Sequence, residues 1–330
     1  MENFMILGNN TIQLHSGVFA GVQAYSRYPT GELEGIRLSE KNMLVTHVGE
    51  LVPTYTETTR RKNKYSVEFH KNGMVKAVAL DEQQEIQTPI GEFPAELVTF
   101  YDTGELHRFF PLDGKISGFW SEEEERVLAI PFSFDLGFAK FISMLNGMAF
   151  YKNGAIRSIT LYPDEIIDVG THSGIIRVRN GLSLFGSGEL ESVEPKEPVS
   201  VNTPIGTLAA YDPEAVGVNA DTNSLAFTSD GRVKSLTAAY NRIAVQTETG
   251  ELKMFRPLET VHPLDDDATL AKGMKIIFDY EMNTVEIADG ESSGLFAVDK
   301  CGFHIENTGS TPLSCSPAAC TSCSLCPGHK

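Results

Sequence analysis

Short runs of apolar residues broken by polar ones recur along this chain at strand spacing. Residues 74–80 make one such run, 81–84 are a polar break, and the pattern resumes at Ile86. Residues 155–161, 162–165 and 166–169 repeat that layout. Side chains two apart share one face of a strand, so each run predicts a strand with a buried side. Phe132, Phe134, Leu136 and Phe138 fall at period two and predict another. Phe141, Ile142 and Leu145 also fit helical spacing, but Gly137 and Gly147 would each weaken a helix by about 1 kcal/mol. The segment 126–149 is therefore read as strand. Residues 273–287 predict a last hairpin turning at Glu281-Met282-Asn283, and 258–270 reads as a loop.

Two kinds of turn separate the runs. In the first, aromatic residues precede a glycine: Phe150-Tyr151-Lys152-Asn153-Gly154 is the fullest example, with variants ending at Gly31, Gly73, Gly104, Gly188 and Gly231. Glycine tolerates the positive φ of a tight hairpin, and the asparagines of Asn72-Gly73 and Asn153-Gly154 are expected to share it. The second turn reads Thr-Pro-x-Gly at Thr88 and Thr203, with looser copies ending at Gly17, Gly49, Gly174 and Gly250. There proline presets φ and glycine takes the positive value. Gly31 to Gly49, Gly73 to Gly91 and Gly188 to Gly206 are each 18 residues apart, and Gly231 to Gly250 is 19. A fixed interval marks an internal repeat. The fold class that follows is all-β, with about six or seven serial antiparallel hairpin units over residues 1–305. They form an open twisted sheet or close into a propeller-like ring. Residues 306–330 turn to Ser, Thr, Pro, Gly and Cys, the composition of a flexible tail.

Charge narrows the partners. The chain has 44 acidic and 27 basic residues, a net charge of −17. That field repels phosphate backbones and anionic membranes, so a protein partner is expected rather than nucleic acid or a membrane. Residues 1–8 lack the basic and apolar regions of a signal peptide, and no stretch of about 18 apolar residues occurs. Of five cysteines, all but Cys301 lie between 315 and 326. A body without a cysteine framework is not a secreted disulfide scaffold, and the expected address is the cytoplasm.

The aromatic-x-x-Gly turn followed by an alternating strand resembles MORN-like repeats, particularly those of YwqK-type antitoxin-like proteins. Leu112-Asp113-Gly114-Lys115-Ile116-Ser117-Gly118-Phe119-Trp120 is similar to their Asn-Gly-Lys-x-x-Gly-x-Trp core. The Thr-Pro-x-Gly turns lengthen the compound unit beyond that family's short, even period. The resemblance implies an elongated or curved antiparallel sheet used as a binding or organising surface. It implies no catalytic residues, because the family's motif is structural.

The tail carries the one chemically suggestive spacing. Cys315, Cys320, Cys323 and Cys326 form Cys-x4-Cys-x2-Cys-x2-Cys, whose first three positions match plant-type ferredoxin ligands. Four thiolates this close would also wrap Zn²⁺, with His329 as a spare donor. Zinc or an iron–sulfur cluster is thus the candidate cofactor; reduced, oxidised or modified thiols are the alternative. His15, His47 and His172 occupy the same slot two residues before glycine, but Pro89 and Pro204 fill it too, so it asks for a turn former. Glu122 to Glu125 read as a solvated loop, and Asp265 to Asp267 lack the spacing of a calcium loop. No phosphate-binding loop, nucleophile elbow or zinc-protease motif is present. The expected function is a non-enzymatic scaffold or binding module. Its competitors are a metal-carrying redox module and an enzyme whose site is built from the loops near 212–224 or 258–270.

Overall fold

The computed structural model describes residues 3–8, 10–217, 219–262 and 265–308. They are nearly all strand, and one large antiparallel sheet organises them. Seven hairpins supply it in chain order: Val22–Arg27 with Leu33–Leu38, Val67–Phe69 with Val75–Thr88, Gly91–Phe100 with Leu106–Phe110, Lys140–Phe150 with Ile156–Leu161, Gly174–Leu184 with Leu190–Pro195, Leu225–Phe227 with Val233–Ala238, and Met274–Asp279 with Thr284–Ala288. Each hairpin pairs with the next, and Ser293–Ala297 adds a final strand. Among the described residues, Val22–Arg27 pairs only with Leu33–Leu38, and Ser293–Ala297 only with Thr284–Ala288. The sheet is therefore open, and the ring is not formed.

The aromatic turns all use one geometry. The Tyr101 N–H donates to the Glu105 carbonyl at 2.9 Å and the Gly104 N–H to the Tyr101 carbonyl at 3.0 Å. The same pair of bonds recurs in the turns ending at Gly73, Gly154, Gly188 and Gly231. Glycine alone takes the left-handed conformation, with φ 101° at Gly104 and 85° at Gly154. Asn72 and Asn153 do not share it, which corrects the expectation from sequence. Their side chains instead accept from the N–H of Met74 and Ala155, at 3.0 and 3.1 Å. In these two turns asparagine serves as an Asx cap beside the left-handed glycine.

Successive hairpins are tied by the turn aromatics. The Tyr28 hydroxyl donates to the Phe69 carbonyl at 2.8 Å, and His70 Nε2 meets the Phe100 carbonyl at 2.9 Å. Tyr101 donates to Phe150 at 2.8 Å and Tyr151 to Leu184 at 2.9 Å. Each bond runs from one hairpin to the carbonyl just before the next aromatic turn. The ring buries its body while its polar tip satisfies a backbone acceptor.

The threonine turns cap a second set of hairpins that cover one face of the sheet. The Thr hydroxyl donates back to the turn glycine's carbonyl at Thr46, Thr88, Thr171 and Thr203, at 2.6–2.8 Å. Valine would match its shape but supply no donor. Val75–Thr88 and Gly91–Phe100 run on past the sheet to make one such hairpin. Leu44–Thr46 with Gly49–Leu51, and Val199–Thr203 with Gly206–Ala210, are shorter ones. Their apolar residues, Leu51, Ile86, Val201 and Leu208 among them, join Val98, Phe109, Met148 and Ile159 of the sheet in a single core.

Three local readings change. Residues Glu122–Arg126 are a short helix rather than a loop, capped by Ser121 and Glu124, with Glu125 buried against Arg60. The segment read as a loop at 258–270 contains paired strands, Leu258–His262 and Asp265–Lys272. Residues 112–120, the local match to the MORN-like core, contribute no strand to the sheet; their one pairing is the Ser117–Trp120 bridge. The period-two segment is strand only in part: Pro131–Asp135 and Lys140–Phe150 pair, and Leu136 and Phe138 lie in the turn between them. The last hairpin behaves as expected and turns at Glu281, Met282 and Asn283. No helix among the described residues is long and apolar enough to cross a membrane.

Candidate functional site

The face of the sheet opposite the covering hairpins carries small and polar residues. Register alone draws one row across it: Ala77, Thr99, Arg108, Ala149, Ser158 and Ser183 are successive cross-strand partners. Beside this row the register shifts in six of the seven hairpins, all but Met274–Asp279 with Thr284–Ala288, and each shift leaves one residue without a cross-strand partner. Those residues are Glu34, Lys76, His107, Arg157, Glu191 and Lys234. A bulge re-aims the side chain of the extra residue, and here it does so at the same place in each hairpin. All six are ionisable. Neighbouring members are two strands apart, about 9.6 Å by ordinary strand spacing.

Two loops lie on this face and leave the sheet bare between them. In the first, 53–66, the N–H groups of Tyr55 and Thr56 donate to Asp81 Oδ1 at 3.1 and 3.0 Å, and the Tyr65 ring sits over Gly35. In the second, 212–224, the Ala220 N–H donates to Thr160 Oγ1 at 3.1 Å, and Asn223 reaches Ser192 Oγ at 2.8 Å. Ala220 is fully buried above Gly181. Between the loops runs a groove of about 790 Å³, with Ala77, Leu97, Thr99 and Phe110 on its floor and Lys64, Lys76, His107 and Tyr101 along its sides.

The groove's charge runs against that of the chain. Arg108 Nη2 contacts both oxygens of Asp221 at 2.6 Å, and Ser158 Oγ donates to Asp221 Oδ1 at 2.6 Å. Burial alone would raise the Asp221 carboxyl, but Ser158 and Arg108 outweigh it and hold it below the usual range. Arg157 makes a longer contact to the same carboxylate, at 4.0 Å. Burial, then Arg108 and Arg157, push the His107 imidazole below its ordinary value. Lys76 pairs with Glu68 at 2.9 Å, and that bond raises its ammonium. Further along, under the second loop, burial raises the Glu194 carboxyl although Ser224 donates to it through N–H and hydroxyl.

His107 Nδ1 lies 3.3 Å from Thr99 Oγ1, and His70 is spent on a backbone carbonyl. No carboxylate orients either ring, so the groove lacks the base-and-orienter pair that activates a nucleophile.

The sequence-derived candidates fall elsewhere. Cys315, Cys320, Cys323 and Cys326 lie outside the described residues. Cys301 is half-buried and unpaired. Among the described residues, no group of three His, Cys, Asp or Glu is placed to hold a metal ion. The histidine slot has another use. His47 Nε2 accepts the Leu106 N–H at 3.1 Å, and His172 stands where a Cβ on Gly231 would be. In the same slot, Pro89 lies 3.2 Å from where a Cβ of Gly154 would stand. These three threonine turns thus seat against aromatic turns two hairpins further along. The groove residues were missed, although the sequence carries their signal: the third residue after each aromatic-turn glycine is ionisable.

Comparison of the chain with known protein families, curated proteins and solved structures gave no match.

Proposed function

We propose that this protein is a non-enzymatic binding module that holds an extended ligand on the open face of its repeat sheet. The groove between the two loops supports this reading most directly. Its volume is about 790 Å³, and it is floored by strands and lined by aromatic, cationic and imidazole side chains suited to contact. A serial sheet repeats equivalent positions at a fixed interval, which suits a ligand that is itself extended. The scarcity of cysteine in residues 1–305 fits a reducing compartment, and we place the module in the cytoplasm. The enzyme reading would need a carboxylate orienting His107, whose Nδ1 lies instead beside the Thr99 hydroxyl.

Site-specific photocrosslinking tests the reading. A photoreactive residue replacing Asn63, on the groove wall, should label a defined species in the native cell. One replacing Val45, on the outer side of a covering hairpin, should not. Identical labelling from both positions overturns the proposal.

A further inference from the structure

The two edges of the sheet are finished differently. N-terminal residues lie against the first, Val22–Arg27. The Val22 N–H donates to the Asn10 carbonyl at 2.8 Å, Phe4 meets the Tyr25 ring edge-on at 6.0 Å, and the Arg27 guanidinium sits 4.8 Å from the Phe4 ring. Two register shifts also break its ladder. The last strand, Ser293–Ala297, has none of these devices. It pairs with Thr284–Ala288 in one unbroken register and contains no proline and no charge. The Val298 N–H donates to the Asn283 carbonyl at 2.9 Å and the Asp289 N–H to the Ser292 carbonyl at 3.1 Å, so the even positions face the neighbouring strand. The alternate residues of an antiparallel ladder point their backbone groups the other way. Here they are Ser293 and Leu295, whose backbone groups have no partner among the described residues. Leu295 is also 69% exposed. Such an edge is a template for one more strand.

Charge and reach select the occupant. A second copy paired along the whole edge about Leu295 would set Glu291 opposite Asp299, acid against acid, in a chain of net charge −17. Residues 309–330 hold no Asp, Glu or Arg, and Lys330 is their one lysine. They continue from Thr308, which lines a cavity of about 580 Å³ together with Asp289 and Glu291, just before the edge strand. An added strand must donate N–H groups, which excludes proline, and 318–326 is their longest run without proline or glycine. Within it Ala319, Thr321, Cys323 and Leu325 alternate with Cys320, Ser322 and Ser324, which makes one face the more apolar. The intervening residues 309–317 reach up to about 30 Å, against an edge about 17 Å long. We infer that residues 318–326 close this edge as an added strand antiparallel to Ser293–Ala297, with Ser322 opposite Leu295. That sense matches the rest of the sheet and carries Lys330 towards Asp289 and Glu291. Cys323 and Leu325 then share the core face with Phe296, while Cys320 and Cys326 take the other. A closed edge and four cysteines gathered on one metal ion therefore exclude each other.

Amide hydrogen exchange followed by NMR tests this on the full chain, with reductant and EDTA present to keep the thiols free. The Ser293 and Leu295 amides should exchange at least about tenfold more slowly than in a chain ending at Thr308. In the full chain, Ser322→Pro should abolish that protection, because it removes the central N–H of the added strand, whereas Ser316→Pro, in the connecting residues, should keep it. Fast exchange in the full chain, equal to that of the shortened one, overturns the inference. So does protection lost equally in Ser316→Pro and Ser322→Pro. Protection that survives Ser322→Pro and grows with protein concentration assigns the edge to a second copy and overturns it too.

Discussion

Arg60 Nε lies 2.7 Å from Glu125 Oε2 while its Nη1 lies 2.7 Å from Glu96 Oε1, so one guanidinium holds two buried carboxylates. Glu125 accepts in addition from Trp120 Nε1 at 2.7 Å and from the Gly114 N–H at 2.9 Å. Through these bonds the first loop, the sheet and the short helix are tied together.

Arg60→Met is expected to cost about 3–5 kcal/mol, because it strands two buried charges rather than removing a pair. Burial alone would raise the Glu125 carboxyl, but Arg60 and Trp120 outweigh it and lower it below its ordinary value. A lowered carboxyl contributes stability that is present above its unfolded value and is lost as pH falls through the folded one. Urea unfolding of the wild type should therefore weaken below about pH 4.5. The variant should show less of that acid dependence; an unchanged profile would remove Arg60 from the account.

Glu194 has the opposite sign. Its carboxyl is raised by burial, so its contribution is full below the unfolded value and is lost as pH rises through the folded one. Glu194→Gln should raise the melting temperature at pH 7 and leave it unchanged near pH 4, where the glutamate is protonated in both states. A loss of stability at pH 7 would show that the Ser224 bonds outweigh the burial.

Tyr101→Phe deletes the hydroxyl that satisfies the Phe150 carbonyl and leaves the ring. A loss of about 1 kcal/mol is expected by chemical denaturation, and Tyr151→Phe should lose a similar amount. Because the Tyr101 acceptor, Phe150, adjoins Tyr151, the double variant should depart from additivity.

Two glycines separate conformation from close approach. Gly91 has φ 130° with nothing within 4 Å of where a Cβ would stand, so Gly91→Ala is expected to cost about 1–2 kcal/mol from backbone strain alone. At Gly181, φ 138°, a Cβ would collide with the Ile159 carbonyl oxygen and crowd Ala220 at 2.7 Å. Gly181→Ala should cost more than about 4 kcal/mol or abolish folding. Comparable melting temperatures for the two would argue that the second loop does not sit on the sheet.

Much of the architecture is local and was legible. Turn glycines, the threonine that bonds back across its own turn, and the 18-residue interval between turn types are set by residues a few positions apart. Sequence therefore determined the repeated hairpins of the sheet and their order, though not the pairings within 131–150 and 258–272. What lay beyond it depended on distance along the chain. Asn153 looked like a positive-φ residue because Asn-Gly favours that in a two-residue turn; the added turn residue, visible only in the hydrogen bonds, gave it a capping role. Four consecutive glutamates looked solvated because nothing nearby in sequence neutralises them, whereas Arg60 comes from 65 residues away. His47, Pro89 and His172 share a slot because each meets a turn two hairpins on, a relation that only stacking creates. The groove is of the same kind. Sequence places an ionisable residue three positions after each turn glycine, but register decides that these residues form one row. The two loops then leave that row's basic centre open to solvent.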